Sequence, residues 1–197
     1  KGSCSSGRSS ALRGKPGTSV EITIKRDGRE ISFQIVREVI IIHAVSAKII
    51  TGPSGAIGYV KVKTFSEIMP KELHKEITNL RARGITKVIL DLRNNPGGLL
   101  NSALDILYDF ARPNDIFMVM RKRAESTIFD AAFIKKELTP NREPGMFRDM
   151  RVVVLVNKGS ASASEIFAGA MKDWGFPVVG SRSFGKGVGQ TLFPLAN

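Results

Sequence analysis

An unbroken apolar run, Val152-Val153-Val154-Leu155-Val156, leads directly into a turn of small residues at positions 157–164. A β-branched run without polar residues is typical of a strand that is covered on both faces, as in a parallel sheet. Beyond the turn, four apolar residues recur at helical spacing: Ile166, Phe167, Ala170 and Met171. Gly175 is placed to end that helix. This strand-turn-helix unit predicts an α/β fold with several serines at the N-terminus of a helix.

The serines of this turn allow two interpretations. Ser162 and Glu165 have the spacing of a capping box, in which the serine caps the helix and the glutamate reaches back to the serine amide. A serine at this point would also meet free backbone N–H groups and the positive end of the helix dipole, which stabilise a developing negative charge. The turn alone therefore predicts either a structural cap or a nucleophile.

Strands and helices alternate over most of the chain beyond residue 56. The sequence patterns predict strands at 57–62, 87–92, 116–120 and 177–179, and helices at 66–83 and 99–110. The first of these helices is expected to end at Gly84 and to bury four residues: Ile68, Leu73, Ile77 and Leu80. Residues 121–144 show no clear pattern. The alternation predicts a largely parallel sheet flanked by helices, in which functional residues gather where the strands end.

The beginning of the chain has a different organisation. Residues 1–11 are rich in serine and glycine, which is typical of a linker. Alternating apolar residues on both sides of Asp27-Gly28 predict a β-hairpin. Further strands are expected at 39–42 and 47–50, and the loop Gly52-Pro53-Ser54-Gly55 is expected to be a domain boundary.

The strand predicted at 87–92 is followed by Arg93-Asn94-Asn95-Pro96-Gly97-Gly98. Pro-Gly-Gly is suited to a tight connection between a strand and a helix. Glycines also let backbone N–H groups approach a carbonyl oxygen closely, as an oxyanion hole requires. The residues leave both interpretations open.

The segment Gly180-Ser181-Arg182-Ser183-Phe184-Gly185-Lys186-Gly187 is similar to a phosphate-binding loop. However, Gly187 takes the place of the Ser or Thr that would bind magnesium, and residues 188–194 read as a strand rather than as a helix. We therefore reject nucleotide binding. Lys186 lies between two glycines and is either an exposed loop lysine or a general base for a serine, which it can be only in its neutral form.

Composition argues against several other kinds of site. The chain has 30 Lys and Arg residues against 18 Asp and Glu, a net charge of +12, but the basic residues are scattered and we expect no nucleic-acid binding. Cys4, the only cysteine, lies in the linker-like segment, and no group of residues has metal-ligand spacing, so no metal or cofactor is expected. His43 and His74 are expected to be structural or exposed. No apolar stretch is long enough to span a bilayer.

Three motifs, in this order, resemble those of the carboxy-terminal processing peptidases, also called tail-specific proteases. The motifs are Asp91-Leu92-Arg93-Asn94-Asn95-Pro96-Gly97-Gly98, then Ser160-Ala161-Ser162-Ala163-Ser164-Glu165, then Phe184-Gly185-Lys186-Gly187 followed by Gln190. The resemblance implies a crotonase-like α/β core with a mixed, largely parallel sheet and flanking helices. It implies that residues 12–38 are the C-terminal part of a PDZ module, joined through 39–55 to a peptidase core at 56–197.

The resemblance also implies a serine endopeptidase with a Ser/Lys dyad. Ser162 falls on the nucleophile of that family, Lys186 on its general base, and Gln190 on the residue that orients the lysine. Because the assignment of Ser162 depends on motif identity, Ser160 and Ser164 remain alternative nucleophiles.

The oxyanion donors implied by the resemblance are the backbone N–H of Ala163 and that of either Gly97 or Gly98. The implied substrates are polypeptides with apolar C-termini, cleaved near those termini. The implied compartment is a bacterial cell envelope or periplasm, or a thylakoid lumen.

Two other functions are compatible with the same residues. A catalytically silent module could hold extended peptides by strand addition, and its affinity would be unaffected by Ser162→Ala. A crotonase-like enzyme could transfer acyl groups from thioesters, because unrelated chemistries share this fold. Thioester turnover that survives Lys186→Ala would favour the second alternative.

Overall fold

The computed structural model describes residues 12–39, 43–53, 55–121 and 125–188. The chain divides into two compact units between positions 42 and 43. In the first unit, β1 (Ser19–Arg26) pairs antiparallel with β2 (Arg29–Val36). Asp27 and Gly28 have φ angles of 51° and 77°, the left-handed backbone of a two-residue hairpin turn. The predicted hairpin is thus confirmed, whereas its assignment to a PDZ module stays a prediction.

The second unit is built on a five-stranded sheet. The strands of the second unit, seven in all within the described ranges, are β3 (Val45–Gly52), β4 (Gly55–Val62), β5 (Lys87–Asp91), β6 (Ile116–Arg121), β7 (Ser126–Asp130), β8 (Arg151–Val156) and β9 (Val178–Gly180). The sheet order is β3-β4-β5-β8-β9; β3 is antiparallel to β4 and the other neighbours are parallel, while β6 and β7 form a separate antiparallel pair. The predicted mixed, largely parallel α/β sheet is confirmed.

The loop at positions 52–55, predicted as a domain boundary, is the turn between two paired strands. Gly52 lies opposite Gly55 in the antiparallel register of β3 and β4. Because β3 pairs with β4 along its whole length, it belongs to the sheet of the second unit, and the division between the units lies earlier in the chain. The strand predicted at 39–42 falls largely outside the described residues.

The helices of the second unit are α1 (Met69–Ala82), α2 (Leu100–Tyr108), α3 (Ala131–Glu137) and α4 (Ala163–Asp173). Three predicted core residues of α1 are buried: Leu73, Ile77 and Leu80. The prediction for Ile68 is wrong, because Pro70 lies in the first turn, where helices accept proline, and the helix begins only at Met69. Ile68 is 45% exposed and Met69 is buried instead. No helix in the described ranges is long and apolar enough to cross a membrane.

β7 and α3 lie in the segment to which the sequence assigned no structure. They are five and seven residues long, too short for periodicity to distinguish a strand from a helix. The start of α3 is capped by Asp130, whose Oδ1 accepts a hydrogen bond from Phe133 N at 2.8 Å.

A cluster of aromatic rings secures α4 against the rest of the core. Phe110 lies at the centre, with ring centroids 5.8 Å from Phe147, 6.3 Å from Phe167 and 6.0 Å from Phe176. Phe167 belongs to α4, and aromatic pairs at these distances stabilise a core beyond the area that they bury. This packing fixes the helix, and with it the position of the turn that precedes it.

Candidate active site

Three loops meet where neighbouring strands of the sheet end. The glycine turn (residues 93–98) follows β5, the serine turn (157–162) follows β8, and the lysine loop (181–188) follows β9. Because these strands are adjacent and parallel, their carboxyl ends lie at the same end of the sheet. Backbone hydrogen bonds join the loops, from Ala161 N to Asn95 O at 3.1 Å and from Phe184 N to Ser160 O at 3.0 Å.

Ser162 has a strained backbone at the start of α4. Its φ of 55° and ψ of −117° lie in a region that non-glycine residues rarely adopt. Such strain costs on the order of 1–3 kcal/mol and persists where the surrounding structure enforces it, often at functional sites. A sharp strand-to-helix turn with a strained serine is also how α/β-hydrolases present their nucleophile. The backbone of Ser162 therefore fits a nucleophile better than an ordinary helix cap.

The two alternative serines are occupied by main-chain hydrogen bonds. Ser160 Oγ donates to Leu92 O at 2.8 Å, and Ser164 Oγ donates to Asn95 O at 2.9 Å. Both serines are fully buried, whereas Ser162 is partly exposed. Ser160 therefore attaches the serine turn to the residue before the glycine turn, and Ser164 attaches α4 to the glycine turn. Neither serine offers an accessible hydroxyl.

Gly97 lies directly against the serine turn. A Cβ atom at this position would lie 2.6 Å from Ala161 O, 2.9 Å from Ala163 N and 2.9 Å from Ser162 Cβ. Its φ of 98° also disfavours any side chain. The glycine that the sequence pattern singled out is thus required by a close approach of two backbones.

Two backbone N–H groups near Ser162 have no hydrogen-bond acceptor in the described part of the chain. They belong to Ala163, the first residue of α4, and to Gly98. The N–H of Gly97, by contrast, donates to Asn95 Oδ1 at 2.9 Å. Of the two glycines between which the sequence did not choose, Gly98 therefore has the available donor.

Three asparagines connect the glycine turn to the rest of the site. Asn94 and Asn157 form a reciprocal pair, with Asn94 N donating to Asn157 Oδ1 at 2.8 Å and Asn157 Nδ2 donating to Asn94 Oδ1 at 2.9 Å. Asn95 is fully buried, and its Nδ2 donates to Val62 O at 3.0 Å. Sequence reasoning missed these roles, although asparagines that come shortly after two strands, at 94–95 and at 157, were a usable signal.

A buried carboxylate anchors the first residue of the glycine turn. Asp91 accepts hydrogen bonds from Arg93 N at 2.8 Å, from the Arg93 guanidinium at 2.8 and 3.0 Å, and from Tyr59 OH at 2.5 Å. Lys61 Nζ lies 3.3 Å from Asp91 Oδ1 and also donates to Arg93 O. Burial alone would raise the pKa of Asp91, but the hydrogen bonds from Arg93 and Tyr59 and the charge of Lys61 outweigh burial and hold the pKa well below its usual range.

This depressed pKa predicts a specific loss of stability in acid. The ionised Asp91 stabilises the fold above the pKa of an unfolded aspartate, about 3.9, and this contribution disappears as the pH falls through the lower, folded-state pKa. We therefore expect the free energy of unfolding of the parent chain to exceed that of Asp91→Asn by a constant amount above about pH 5, and the difference to shrink below about pH 4. Urea unfolding at a series of pH values measures this, and a difference that grows in acid would contradict it.

The lysine loop is attached to the serine turn through the carboxylate of Glu165. The carboxylate accepts hydrogen bonds from Ser183 Oγ at 2.7 Å and from the amides of Gly185, Lys186 and Ser162 at 2.6, 2.9 and 2.9 Å. Burial alone would raise the pKa of Glu165, but the bond from Ser183 and those from the three amides outweigh it, so the pKa is lowered. The sequence identified Glu165 only as one half of a capping box.

The side chain of Lys186 is partly buried, and no hydrogen bond joins its Nζ to Ser162 Oγ among the described atoms. Catalytic hydrogen bonds are often long before a substrate is bound. Gln190, predicted to orient the lysine, lies outside the described residues. The structure thus connects the backbone of Lys186 to that of Ser162 through the carboxylate of Glu165.

Both histidines are paired with carboxylates. His43 Nδ1 lies 2.7 Å from Glu72 Oε1 and is exposed, and His74 Nδ1 lies 2.9 Å from Asp109 Oδ2. Within the ranges that the structure describes, no three His, Cys, Asp or Glu residues are grouped as a metal site would require.

Known proteins share both the sequence and the fold of this chain. Residues 56–197 match the model of peptidase family S41. The "Probable CtpA-like serine protease" of Staphylococcus epidermidis is 39% identical over 183 residues, which cover 92% of this chain and 35% of that protein. The protein of the same name in Staphylococcus aureus strain N315 is 35% identical over 181 residues, covering 91% of this chain and 34% of that protein.

A solved structure supports the same relationship. The "photosystem II D1 C-terminal processing protease" superposes with a TM-score of 0.65 at 26% identity, over 90% of this chain and 47% of that one. The present chain spans about a third of the length of its staphylococcal relatives, or 35% and 34% in the two cases given. The family match covers well over half of the chain and includes all three loops of the site. The chain therefore belongs to peptidase family S41.

Proposed function

We propose that this chain is the proteolytic core of a serine endopeptidase that cleaves polypeptides near their C-termini, with Ser162 as nucleophile and Lys186 as general base. The observation that carries the proposal is the strained Ser162 at a helix start, beside the amides of Ala163 and Gly98, which have no acceptor within the described ranges. Membership in the S41 family supports peptide hydrolysis. Similarity to a D1 C-terminal processing protease supports cleavage near the C-terminus.

In the first step, neutral Lys186 accepts the proton of Ser162 while Oγ attacks the carbonyl carbon of the substrate peptide. The carbonyl oxygen becomes an oxyanion, which the amides of Ala163 and Gly98 stabilise from the start of α4 and from the glycine turn. Since neither amide donates to another group in the part of the chain that the structure describes, neither need break a bond there to reach the oxyanion. Removing one such donor typically lowers kcat on the order of 10²- to 10³-fold.

In the second step, the protonated Lys186 gives its proton to the leaving amine, and the peptide bond breaks to leave an acyl-enzyme at Ser162. Lys186, again neutral, then accepts a proton from water as the water attacks the ester. Collapse of this second tetrahedral intermediate releases the new carboxyl terminus and returns the proton to Ser162. One lysine thus serves as base and as acid in both halves of the reaction.

The proposal is tested by comparing the parent chain with Lys186→Ala and with Lys158→Ala, a matched removal of an exposed lysine from the serine turn. The substrate is an unstructured polypeptide with an apolar C-terminus, followed by mass spectrometry across about pH 6 to 10. Parent activity should rise with pH through one ionisation. Loss of general base catalysis should lower the activity of Lys186→Ala on the order of 10²- to 10⁴-fold, while Lys158→Ala stays close to the parent.

Three other results would contradict the proposal in different ways. Activity of Lys186→Ala equal to that of Lys158→Ala would exclude the lysine as base. Peptide binding by the parent chain without any product would indicate a silent peptide-binding module. Thioester hydrolysis that survives Lys186→Ala, without peptide cleavage, would indicate acyl-transfer chemistry.

A further inference from the structure

The carboxylate of Glu165 makes more bonds than a helix cap requires. Oε2 accepts from the amides of Ser162 and Lys186, both at 2.9 Å, and Oε1 accepts from Gly185 N at 2.6 Å and Ser183 Oγ at 2.7 Å. A capping box needs only the bond to Ser162. The other three bonds reach a loop that is 18 to 21 residues further along the chain.

One oxygen atom connects the residue proposed as nucleophile to the residue proposed as base. Glu165 Oε2 is bonded to the backbone N–H of both Ser162 and Lys186. A single carboxylate therefore connects the backbones of Ser162 and Lys186. This carboxylate belongs to Glu165, a residue of α4. The side chain of Glu165 can accept all four hydrogen bonds only when it is ionised, because protonation would turn one of its acceptor positions into a donor.

Few other contacts position the lysine loop. A Cβ atom at Gly185 or at Gly187 would meet no described atom within 4 Å, so no described residue packs against either glycine there. Phe184 is 70% exposed and attaches through its backbone, from Phe184 N to Ser160 O at 3.0 Å. Without the carboxylate of Glu165, the amide of Lys186 would have no hydrogen-bond acceptor among the described residues.

We propose that Glu165 is a positioning residue, which sets the separation of Ser162 and Lys186 by binding the backbone amides of both. This inference rests on the proposed function. It differs from a capping role, because a cap would stabilise α4 without affecting where the lysine lies. Misplacement of a catalytic group by about 1 Å can lower a rate on the order of 100-fold, so the carboxylate controls turnover although it does not touch the substrate.

The first test does not depend on activity. Hydrogen exchange of the Gly185 and Lys186 amides is measured by NMR in the parent chain, in Glu165→Gln and in Glu76→Gln, a matched change on the partly exposed side of α1. An amide side chain of the same shape replaces one acceptor oxygen by a donor, so it cannot satisfy four N–H and O–H groups. We expect exchange at Gly185 and Lys186 to accelerate about tenfold or more in Glu165→Gln only. Unchanged exchange would overturn the proposal.

The second test separates positioning from stability. In Glu165→Gln we expect kcat to fall on the order of 100-fold, with KM nearly unchanged. We also expect the midpoint of the rise in rate with pH to move, because Lys186 would occupy a different environment. Ser183→Ala should cause a smaller loss, and adding it to Glu165→Gln should cause little more, since both act through one carboxylate. A fall in kcat that is fully explained by a lower fraction of folded enzyme, with the midpoint unmoved, would show a cap and overturn the inference.

Failure of the proposed function and failure of the positioning role of Glu165 would give different results. If the parent chain has no turnover, the proposed function fails, and the exchange result alone decides whether Glu165 connects the two segments. If the parent chain cleaves peptides and Glu165→Gln does so equally well, the proposed function stands and the positioning role is excluded.

Discussion

Ser162→Ala is expected to lower the rate of peptide cleavage on the order of 10⁴- to 10⁶-fold. The expected loss is this large because the buried Ser160 and Ser164 both donate to carbonyl groups and cannot replace the missing hydroxyl. The backbone of the turn is enforced by its neighbours, so alanine should leave the unfolding curve almost unchanged. Cleavage is measured by mass spectrometry, with Ser181→Ala as the control, because Ser181 is an exposed serine of the lysine loop.

Ser162→Gly separates strain from chemistry at the same position. Glycine adopts a φ of 55° without the penalty that serine has there, so this variant should be as inactive as Ser162→Ala and more stable by about 1 kcal/mol. Urea unfolding gives the stability difference. Residual cleavage by Ser162→Ala within about tenfold of the parent would identify a different nucleophile. A glycine variant that is less stable than the parent would show that the backbone is not strained.

Gly97→Ala is expected to damage both the fold and the site. The added methyl group would lie 2.6 Å from Ala161 O and 2.9 Å from both Ala163 N and Ser162 Cβ, at a φ of 98°. Two of these atoms belong to the serine turn and the third to the first residue of α4, and neither segment can retreat without breaking its own hydrogen bonds. We expect the free energy of unfolding to fall by about 3–5 kcal/mol and kcat to fall on the order of 100-fold or more in the molecules that remain folded.

Gly169→Ala is the matched control for this substitution. Gly169 lies within α4 and is exposed, and a Cβ atom there would meet nothing within 4 Å. Alanine in an open helical position should stabilise the chain by about 0.5–1 kcal/mol and leave activity unchanged. Urea unfolding and single-turnover cleavage, run on both variants, measure the two effects. If Gly97→Ala proves as stable and as active as Gly169→Ala, the glycine turn does not lie against the serine turn in solution.

The sequence predicted the elements whose signals are local. The strand before the serine turn, the α1 core residues and the Asp27-Gly28 hairpin follow from periodicity and turn chemistry, and the structure has all of them. Predictions were wrong or missing where the structure depends on strand pairing or where an element is very short. The loop at 52–55 looked like a boundary because its composition cannot show that β3 pairs with β4.

The sequence predicted residues for the candidate site but not the contacts between them. Motifs singled out Ser162, Lys186, Gly97 and Gly98, but the availability of the Gly98 amide follows from a side-chain bond within the glycine turn. Glu165 could be recognised only as a cap, because its other donors lie on a loop that is distant in sequence. Hydrogen bonds between loops depend on the adjacency of β5, β8 and β9, which no local pattern contains.

The strands that precede the three loops of the site differ in length and in their position in the sheet. The glycine turn and the serine turn follow β5 and β8, which lie inside the sheet, whereas the lysine loop follows β9, a strand of three residues that pairs only with β8 in the described part of the chain. Short peripheral elements open at a lower free energy than the core around them. We expect a fluctuation at this edge of the sheet to separate Lys186 from Ser162 while the rest of the molecule stays folded. We therefore expect the proposed peptidase activity to be lost and regained more readily than the fold itself.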